Sequence, residues 1–170
     1  MTPSFREILE VLNQHQVEYI VVGGVAAVIH GAPATTFDLD TLVRLNEDNA
    51  ERLAKALSQL DARFHEHRDV IRPTIEDILA GGHLLLMTRA GPLDDWFRGS
   101  LGFIGEKQRY EDLLGDSSEI GMNVGSLRVL DLEALIAEKK RMGRAKDNAA
   151  VELLEEVLRH RSIRDSSGDE

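Results

Sequence analysis

The segment YIVVGGVAAVIHGAPATTFDLDTLV (Tyr19–Val43) decides the fold of this chain. It begins with an apolar run that stops at Gly23 and Gly24, and an Ala-rich stretch and a loop follow. Asp38 and Asp40 then open a second apolar run. The β-branched residues before the glycines predict a buried strand, and the Ala-rich stretch predicts a short helix. We therefore expect strand, turn, helix, loop and strand in that order, with two carboxylates on the second strand.

The composition fits one globular domain. The chain has 170 residues, 42% of them apolar, which is enough for a hydrophobic core. There is no cysteine, which excludes disulfides, zinc ribbons and thiol nucleophiles. No run reaches the roughly 18–20 apolar residues of a membrane span, and the first residues lack the pattern of a secretory signal. We therefore expect a cytoplasmic location.

The charge is unevenly distributed along the chain. The net charge of −10 argues against a general nucleic-acid-binding surface, which would be basic. A basic cluster nevertheless lies in EKKRMGRAK, between Glu138 and Lys146. A local basic site on an acidic protein favours a small phosphate-bearing ligand over a long nucleic acid.

Hydrophobic periodicity predicts one α/β domain with a mixed sheet flanked by helices and a helical C-terminal part. The predicted helices cover 4–15, 24–31, 46–60, 75–82, 131–142 and 144–161, with a helical turn near 110–117. The predicted strands cover 17–23, 37–45, 83–88 and 92–97, with two more within 118–130. The candidate N-caps are Ser4, either Asn46 or Asp48, and Asp131. The domain division is 1–130 for the core, 131–162 for C-terminal helices packed on it, and 163–170 for a flexible tail.

The two aspartates suggest a divalent cation. Side chains two residues apart on a strand point to the same face, so Asp38 and Asp40 would lie roughly 6–7 Å apart. Two such carboxylates repel each other and resist burial. A cation between them reverses this balance, and magnesium suits the geometry because it binds one or two carboxylates together with phosphate oxygens.

The glycine pair predicts an anion site. A strand that turns into a helix at Gly23–Gly24 leaves free N–H groups at the turn, and the missing side chains allow a phosphate to approach the backbone. Neither a P-loop nor a G-x-G-x-x-G motif is present. Taken alone, the glycines indicate a tight turn, and Asp38 alone could cap a turn or pair with a base. The ordered combination of glycine pair and D-x-D is far more specific.

This combination resembles the DNA polymerase β-like nucleotidyltransferase superfamily, in which a Gly-Gly or Gly-Ser turn precedes a D-x-D motif. The closer resemblance is to bacterial minimal nucleotidyltransferase-like proteins, including the type IV abortive-infection (AbiEii-like) toxins. Their loop often reads Arg-x-Thr-x-Asp-x-Asp. Here ATTFDLD matches at Thr36, Asp38 and Asp40, whereas Ala34 stands where the arginine would be.

A second match lies in LIAEKKRMGRAKD (Leu135–Asp147), which is similar to the Leu-Ile-x-x-Lys…Arg-x-Lys-Asp segment of these relatives. The resemblance as a whole covers about Tyr19 to Leu158. It implies that Lys139, Arg144 and Lys146 bind the triphosphate or a phosphate of the acceptor. The alternative is a solvated helix face, which is the preferred interpretation for the neighbouring Lys140 and Arg141.

Catalysis in this superfamily uses a third carboxylate on a neighbouring strand. GPLDDWF offers Asp94, with Asp95 as the alternative, and only one of the two can face the aspartate pair. Asp94 is the preferred residue because the relatives tend to place their acid directly after a Gly-x-Leu-like step. Alternatively, both acids lie near a hairpin turn and are merely solvated.

The resemblance implies a metal-dependent nucleotidyltransferase that moves a nucleoside monophosphate from an NTP to RNA, protein or a small molecule. Asp38, Asp40 and Asp94 would hold two Mg²⁺ ions and carry catalysis. Gly23 and Gly24 would cradle the polyphosphate.

Thr36 would be an additional donor to the nucleotide. The toxin relatives imply a toxin–antitoxin role and a cognate antitoxin protein as partner. The competing hypothesis is a catalytically inactive nucleotide-binding or protein-interaction module of the same fold.

Overall fold

A computed structural model of the chain describes residues 4–65, 70–96, 109–143 and 145–167. The helices of these residues are α1 (Phe5–Gln14), α2 (Gly23–Ile29), α3 (Glu47–Gln59), α4 (Ile75–Ala80), α5 (Tyr110–Leu113), α6 (Leu132–Met142) and α7 (Ala145–Ser167). The strands are β1 (Tyr19–Val22), β2 (Leu39–Val43), β3 (Arg63–Phe64), β4 (His83–Thr88), β5 (Gly91–Trp96), β6 (Ser117–Met122) and β7 (Gly125–Leu130). The predicted α/β class is confirmed.

The described strands form one mixed sheet in the order β3-β4-β5-β2-β1-β7-β6. β1 and β2 pair antiparallel in its centre, and each has a parallel neighbour on its other side, β7 and β5 respectively. The outer pairs β4–β5 and β6–β7 are antiparallel. The hairpin predicted for HLLLMT and PLDDWF is confirmed as β4–β5.

Helices cover the central strands. All four residues of β1 are buried, which requires cover on both faces of the sheet. Helix α2 packs on β1 and β2 and also contacts α6, which in turn packs against α7. The buried residues of helix α1 are Ile8, Leu9, Val11 and Leu12. Full burial of each such side chain contributes about 1.5–3 kcal/mol. The site described below therefore rests on the best-packed part of the fold.

A buried asparagine ties α3 to the central strands. The side chain of Asn49 accepts from the backbone N–H of Glu18 at 2.7 Å and donates to the backbone oxygens of Glu18 at 3.0 Å and Arg44 at 2.7 Å. Asn46 caps the same helix as predicted, since its side-chain oxygen accepts from the N–H of Asn49 at 2.8 Å. These bonds fix where β1 begins and where β2 ends.

Ser4 and Asp131 occupy the predicted N-cap positions of α1 and α6, but neither side chain makes a capping bond. Ser4 precedes α1, but its side chain makes no capping bond, and its backbone N–H instead donates to the oxygen of Ala90 at 2.6 Å. Asp131 precedes α6, but its carboxylate accepts from the hydroxyl of Ser118 at 2.6 Å instead of capping the helix. For Asp131, the contact with Ser118 of β6 takes the place of the local bond.

The C-terminal helix is longer than predicted. Helix α7 continues to Ser167, into the segment that the sequence predicts as a tail. None of the helices in the described residues is both long enough and apolar enough to span a bilayer.

Candidate active site

The sheet register brings three predicted positions side by side. Val22, the last residue of β1, pairs with Asp40 on β2. On the other side of β2, Asp40 pairs with Asp94 of β5, and Asp95 pairs with Thr41. The residue before the glycine turn, the second aspartate and Asp94 therefore occupy one line across the centre of the sheet.

Gly23 meets Asp40 directly. Its φ of +61° lies in the left-handed region, which side chains disfavour. A Cβ atom at this position would also overlap the carboxylate of Asp40. Both the backbone conformation and the contact therefore require glycine here.

Gly24 makes the corresponding contact with the loop. A Cβ atom at Gly24 would lie 2.6 Å from Oγ1 and 2.8 Å from Cβ of Thr36, which is closer than real Cβ contacts come. Each glycine thus leaves room for one residue of the ATTFDLD segment, Gly23 for Asp40 and Gly24 for Thr36. The structure brings together Gly23, Gly24, Thr36 and Asp40.

Thr36 shapes the approach to Asp38. Its hydroxyl donates to the backbone oxygen of Asp38 at 3.0 Å and lies 3.4 Å from the Oδ1 atom of the same residue. The chain bends at this point, and β2 begins only at Leu39. The prediction that Asp38 lies on the strand with Asp40 is therefore wrong, because the partner strand β1 ends at Val22, opposite Asp40, where the chain turns into α2. Asp38 precedes the strand, and Asp40 is its second residue.

The predicted basic residues fall into separate groups. The Nζ atom of Lys139 lies 3.9 Å from a carboxylate oxygen of Asp147, whose side chain is only 3% exposed. Lys140 instead bridges α6 and α7 by a 2.6 Å ion pair with the partly exposed Glu155. Lys146 lies in the first turn of α7, and Arg144 lies outside the described residues. Lys139 and Asp147, which both match the second motif, are thus brought together.

Sequence reasoning missed Glu138. Its side chain is buried on α6, at 6% exposure, and burial raises its pKa to about 8. The charges of Lys139 and Arg141 lower this pKa, whereas those of Asp40 and Asp147 raise it. The available signal is its place on the apolar face of the helix, three residues after the buried Leu135.

The residues of this site fit a divalent cation. Gly23 leaves room for the carboxylate of Asp40, and Asp38 supplies a second carboxylate just before the same strand. A hard cation such as Mg²⁺ takes this donor set and completes its coordination with water and phosphate oxygens. Among the side chains that the structure describes, no group of three or more Asp, Glu, His or Cys is close enough together to hold a metal ion. The convergence of three carboxylates that includes Asp94 therefore stays a prediction.

No protein-family model and no curated protein matches the sequence. Solved structures do match its fold. The lincomycin-bound lincosamide antibiotic adenylyltransferase LnuA is similar at a TM-score of 0.61 and 13% identity, with 92% of this chain and 99% of that chain covered. The complex of ANT(2'')-Ia with adenylyl-2''-tobramycin is similar at a TM-score of 0.55 and 16% identity, with 96% and 95% covered.

A third similar structure is an antigenic nucleotidyltransferase-like protein from Paracoccidioides brasiliensis. Its TM-score is 0.54 at 17% identity, with 92% of this chain and 77% of that chain covered. At such low identities the likeness shows the fold. The nucleotidyltransferase-like fold that the sequence motifs predict is confirmed.

Proposed function

We propose that the protein is a nucleotidyltransferase, which moves a nucleoside monophosphate from an NTP to an acceptor hydroxyl. The observation that carries this proposal is the contact of the glycine pair with Asp40 and Thr36, at the point where Asp94 pairs with Asp40 in the sheet. A backbone that a phosphate can approach and carboxylates that can hold a cation lie next to each other. This is the combination that nucleotidyl transfer requires.

The substrate-binding roles follow from this geometry. The turn at Gly23–Gly24 would present its backbone N–H groups to the polyphosphate, since glycine adds no side chain of its own. Thr36 orients Asp38 through its hydroxyl. Lys139 and Lys146 supply positive charge for phosphate groups from the C-terminal helices, and Arg144 completes the basic set.

The chemical step is an in-line substitution at the α-phosphorus. Asp38, Asp40 and Asp94 would hold two Mg²⁺ ions, which when bound neutralise the triphosphate and favour ionisation of the acceptor hydroxyl. The acceptor oxygen forms the new P–O bond, and the bond to the bridging oxygen breaks. Pyrophosphate leaves with the electron pair, and a nearby carboxylate or water takes the hydroxyl proton.

A small molecule is the acceptor class that we place first. The net charge of −10 disfavours long polyanions such as RNA. The two antibiotic-modifying enzymes named above, one bound to lincomycin and the other to adenylyl-2''-tobramycin, show that this fold accommodates small molecules. RNA and protein acceptors are the alternatives that the experiment must include.

The test is transfer of label from four α-labelled NTPs, in the presence of Mg²⁺, to RNA, protein and small-molecule fractions of a cell extract. We expect label in one fraction, with a loss of at least about a hundredfold in the double variant Asp38→Asn/Asp40→Asn. Asp48→Asn, an exposed acid in the first turn of α3, is the matched control and should transfer normally. Equal labelling by the wild type and the double variant, or none with any NTP, would argue against transfer.

One observation favours a second candidate, an inactive nucleotide-binding or protein-interaction module. Ala34, which replaces the loop arginine of the relatives, is exposed and supplies no charge for a triphosphate. Calorimetry separates the two candidates. NTP binding that is independent of Mg²⁺ and has no turnover would favour the module.

The toxin–antitoxin role is a separate proposal, compatible with either candidate. It rests on the sequence resemblance alone and implies a cognate antitoxin protein as partner. Expression of the protein alone should then arrest growth. Unimpaired growth at high expression would contradict the proposed toxicity.

A further inference from the structure

Glu138 is a buried acid that the proposed mechanism does not use. It is 6% exposed, and its Oε1 atom has no hydrogen-bond partner among the described residues. Leaving a buried carboxylate oxygen without a donor costs free energy. A side chain that serves only to pack the core would be apolar at this position, as Leu135 and Ile136 are on the same helix.

The position of Glu138 relates it to the aspartates. Helix α6 packs against α2, and α2 begins at Gly23, which contacts the carboxylate of Asp40. The charge of Asp40 is close enough to raise the pKa of Glu138. Glu138 thus lies on the helix that packs against α2, within electrostatic range of Asp40.

The neighbouring cations do not supply a hydrogen-bond donor to the Oε1 atom of Glu138. Lys139 and Arg141 act on Glu138 through their charges, but neither bonds to its Oε1 atom. The amine of Lys139 lies 3.9 Å from Asp147, and the charge of Asp147 adds to that of Asp40 in opposing ionisation of Glu138. The free oxygen is thus available to a donor that comes with a ligand.

We propose that Glu138 is a positioning residue for a hydrated divalent cation held by Asp38 and Asp40. This inference rests on the proposed function, because it concerns the same cation site. Mg²⁺ usually keeps several of its waters in proteins, and each of these waters is a hydrogen-bond donor. Glu138 is not grouped with the aspartates closely enough to bind the ion directly. Its carboxyl oxygen can still accept from the water of the ion, which is how outer carboxylates orient a metal site.

The experiment measures cation affinity without nucleotide, by calorimetry with Mg²⁺ and by electron paramagnetic resonance with Mn²⁺. We expect Glu138→Met to weaken binding about 10–100-fold, the usual effect of losing such an outer partner. Glu138→Gln, which keeps one acceptor oxygen, should lose less cation affinity than Glu138→Met. Glu133→Gln changes an exposed acid in the first turn of the same helix and should bind like the wild type.

A second readout guards against simple misfolding. Without metal, Glu138→Met should melt above the wild type because it removes the unpartnered oxygen. With saturating Mg²⁺ the wild type should gain more in melting temperature than the variant. A variant that is both more stable and weaker in cation binding cannot be explained by damage to the fold.

The inference is overturned if the Glu138 variants bind the cation as tightly as the wild type, or if the wild type binds none. The failure of the proposed function looks different. Cation binding that requires Asp40 and Glu138, without any nucleotide transfer, would leave this inference standing and remove the transferase. If the wild type transfers nucleotide but the Glu138 variants bind the cation as tightly as it does, the transferase stands and this inference fails.

Discussion

The carboxylate of Asp40 occupies the space that a side chain at Gly23 would need. These two residues are 17 positions apart in the chain, but the antiparallel register of β1 and β2 pairs Val22 with Asp40 and so brings Gly23 next to it. The glycine turn and the D-x-D motif are therefore parts of one structure.

Gly23→Ala should abolish the site. The new Cβ would displace Asp40 and strain a backbone with a φ of +61°, at a cost of roughly 1–2 kcal/mol for the strain alone. We expect a lower melting temperature and no detectable binding of Mg²⁺-NTP by calorimetry. Gly31→Ala has a φ of +97° but nothing within 4 Å of the new atom, so it should lose stability and keep binding. Gly115→Ala should change neither the melting temperature nor Mg²⁺-NTP binding. Normal Mg²⁺-NTP binding by Gly23→Ala would refute the proposed contact.

Thr36→Val should weaken cation binding with little effect on folding. The change keeps the shape of the side chain but removes the bond to the backbone oxygen of Asp38, worth about 0.5–1.5 kcal/mol. We expect a several-fold rise in the dissociation constant for Mn²⁺, measured by electron paramagnetic resonance. Thr35→Val, at the exposed preceding position, is the matched control. Equal affinities for the two variants would show that the hydroxyl of Thr36 does not orient Asp38.

The stability of the metal-free protein should depend on pH through the titration of Glu138. Its pKa rises from 4.5 to about 8 on folding, so the folded state binds more protons than the unfolded state between these values. Protonation of Glu138 therefore favours the folded state. This contribution to the free energy of unfolding is complete below about pH 4.5 and is lost as the pH rises through 8. Glu138→Gln lacks this loss, so its melting temperature relative to the wild type should increase from pH 5 to pH 8. A pH-independent difference in calorimetric melting would contradict this.

Lys139 and Lys140 should differ in importance although they are adjacent. Lys139 lies beside the buried Asp147, and Lys139→Met should cost roughly 1–3 kcal/mol in the free energy of unfolding because a buried acid loses a nearby cation. Lys140 pairs with Glu155 near the surface, and Lys140→Met should have little effect. Urea unfolding of both variants measures the difference. Equal losses would contradict the assignment of Lys139 to the buried pair.

Local sequence signals were sufficient for the framework of the site. The apolar runs on either side of Gly23 and Gly24, and the alternation after Asp40, predict the strands because burial requires those patterns. The hairpin carrying Asp94 follows from two apolar runs around a short polar turn.

The remaining features depend on contacts that single-sequence patterns do not encode. Asp38 lies outside the strand because the neighbouring strand β1 ends at Val22, opposite Asp40. Glu138 is buried because α6 packs against α2, and helical periodicity alone does not distinguish a buried acid from one at the edge of the apolar face. The carboxylate of Asp131 does not cap α6 because a tertiary partner, the hydroxyl of Ser118, bonds to it instead.

The most direct test of the central claim is the position of the label that an NTP transfers. Nucleotidyl transfer moves the α-phosphorus to the acceptor and releases the β- and γ-phosphates as pyrophosphate. With the same acceptor fraction, we predict labelling from α-labelled NTP, none from γ-labelled NTP, and loss of labelling in Asp40→Asn. Labelling from the γ-position, or labelling that survives Asp40→Asn, would contradict the proposed reaction.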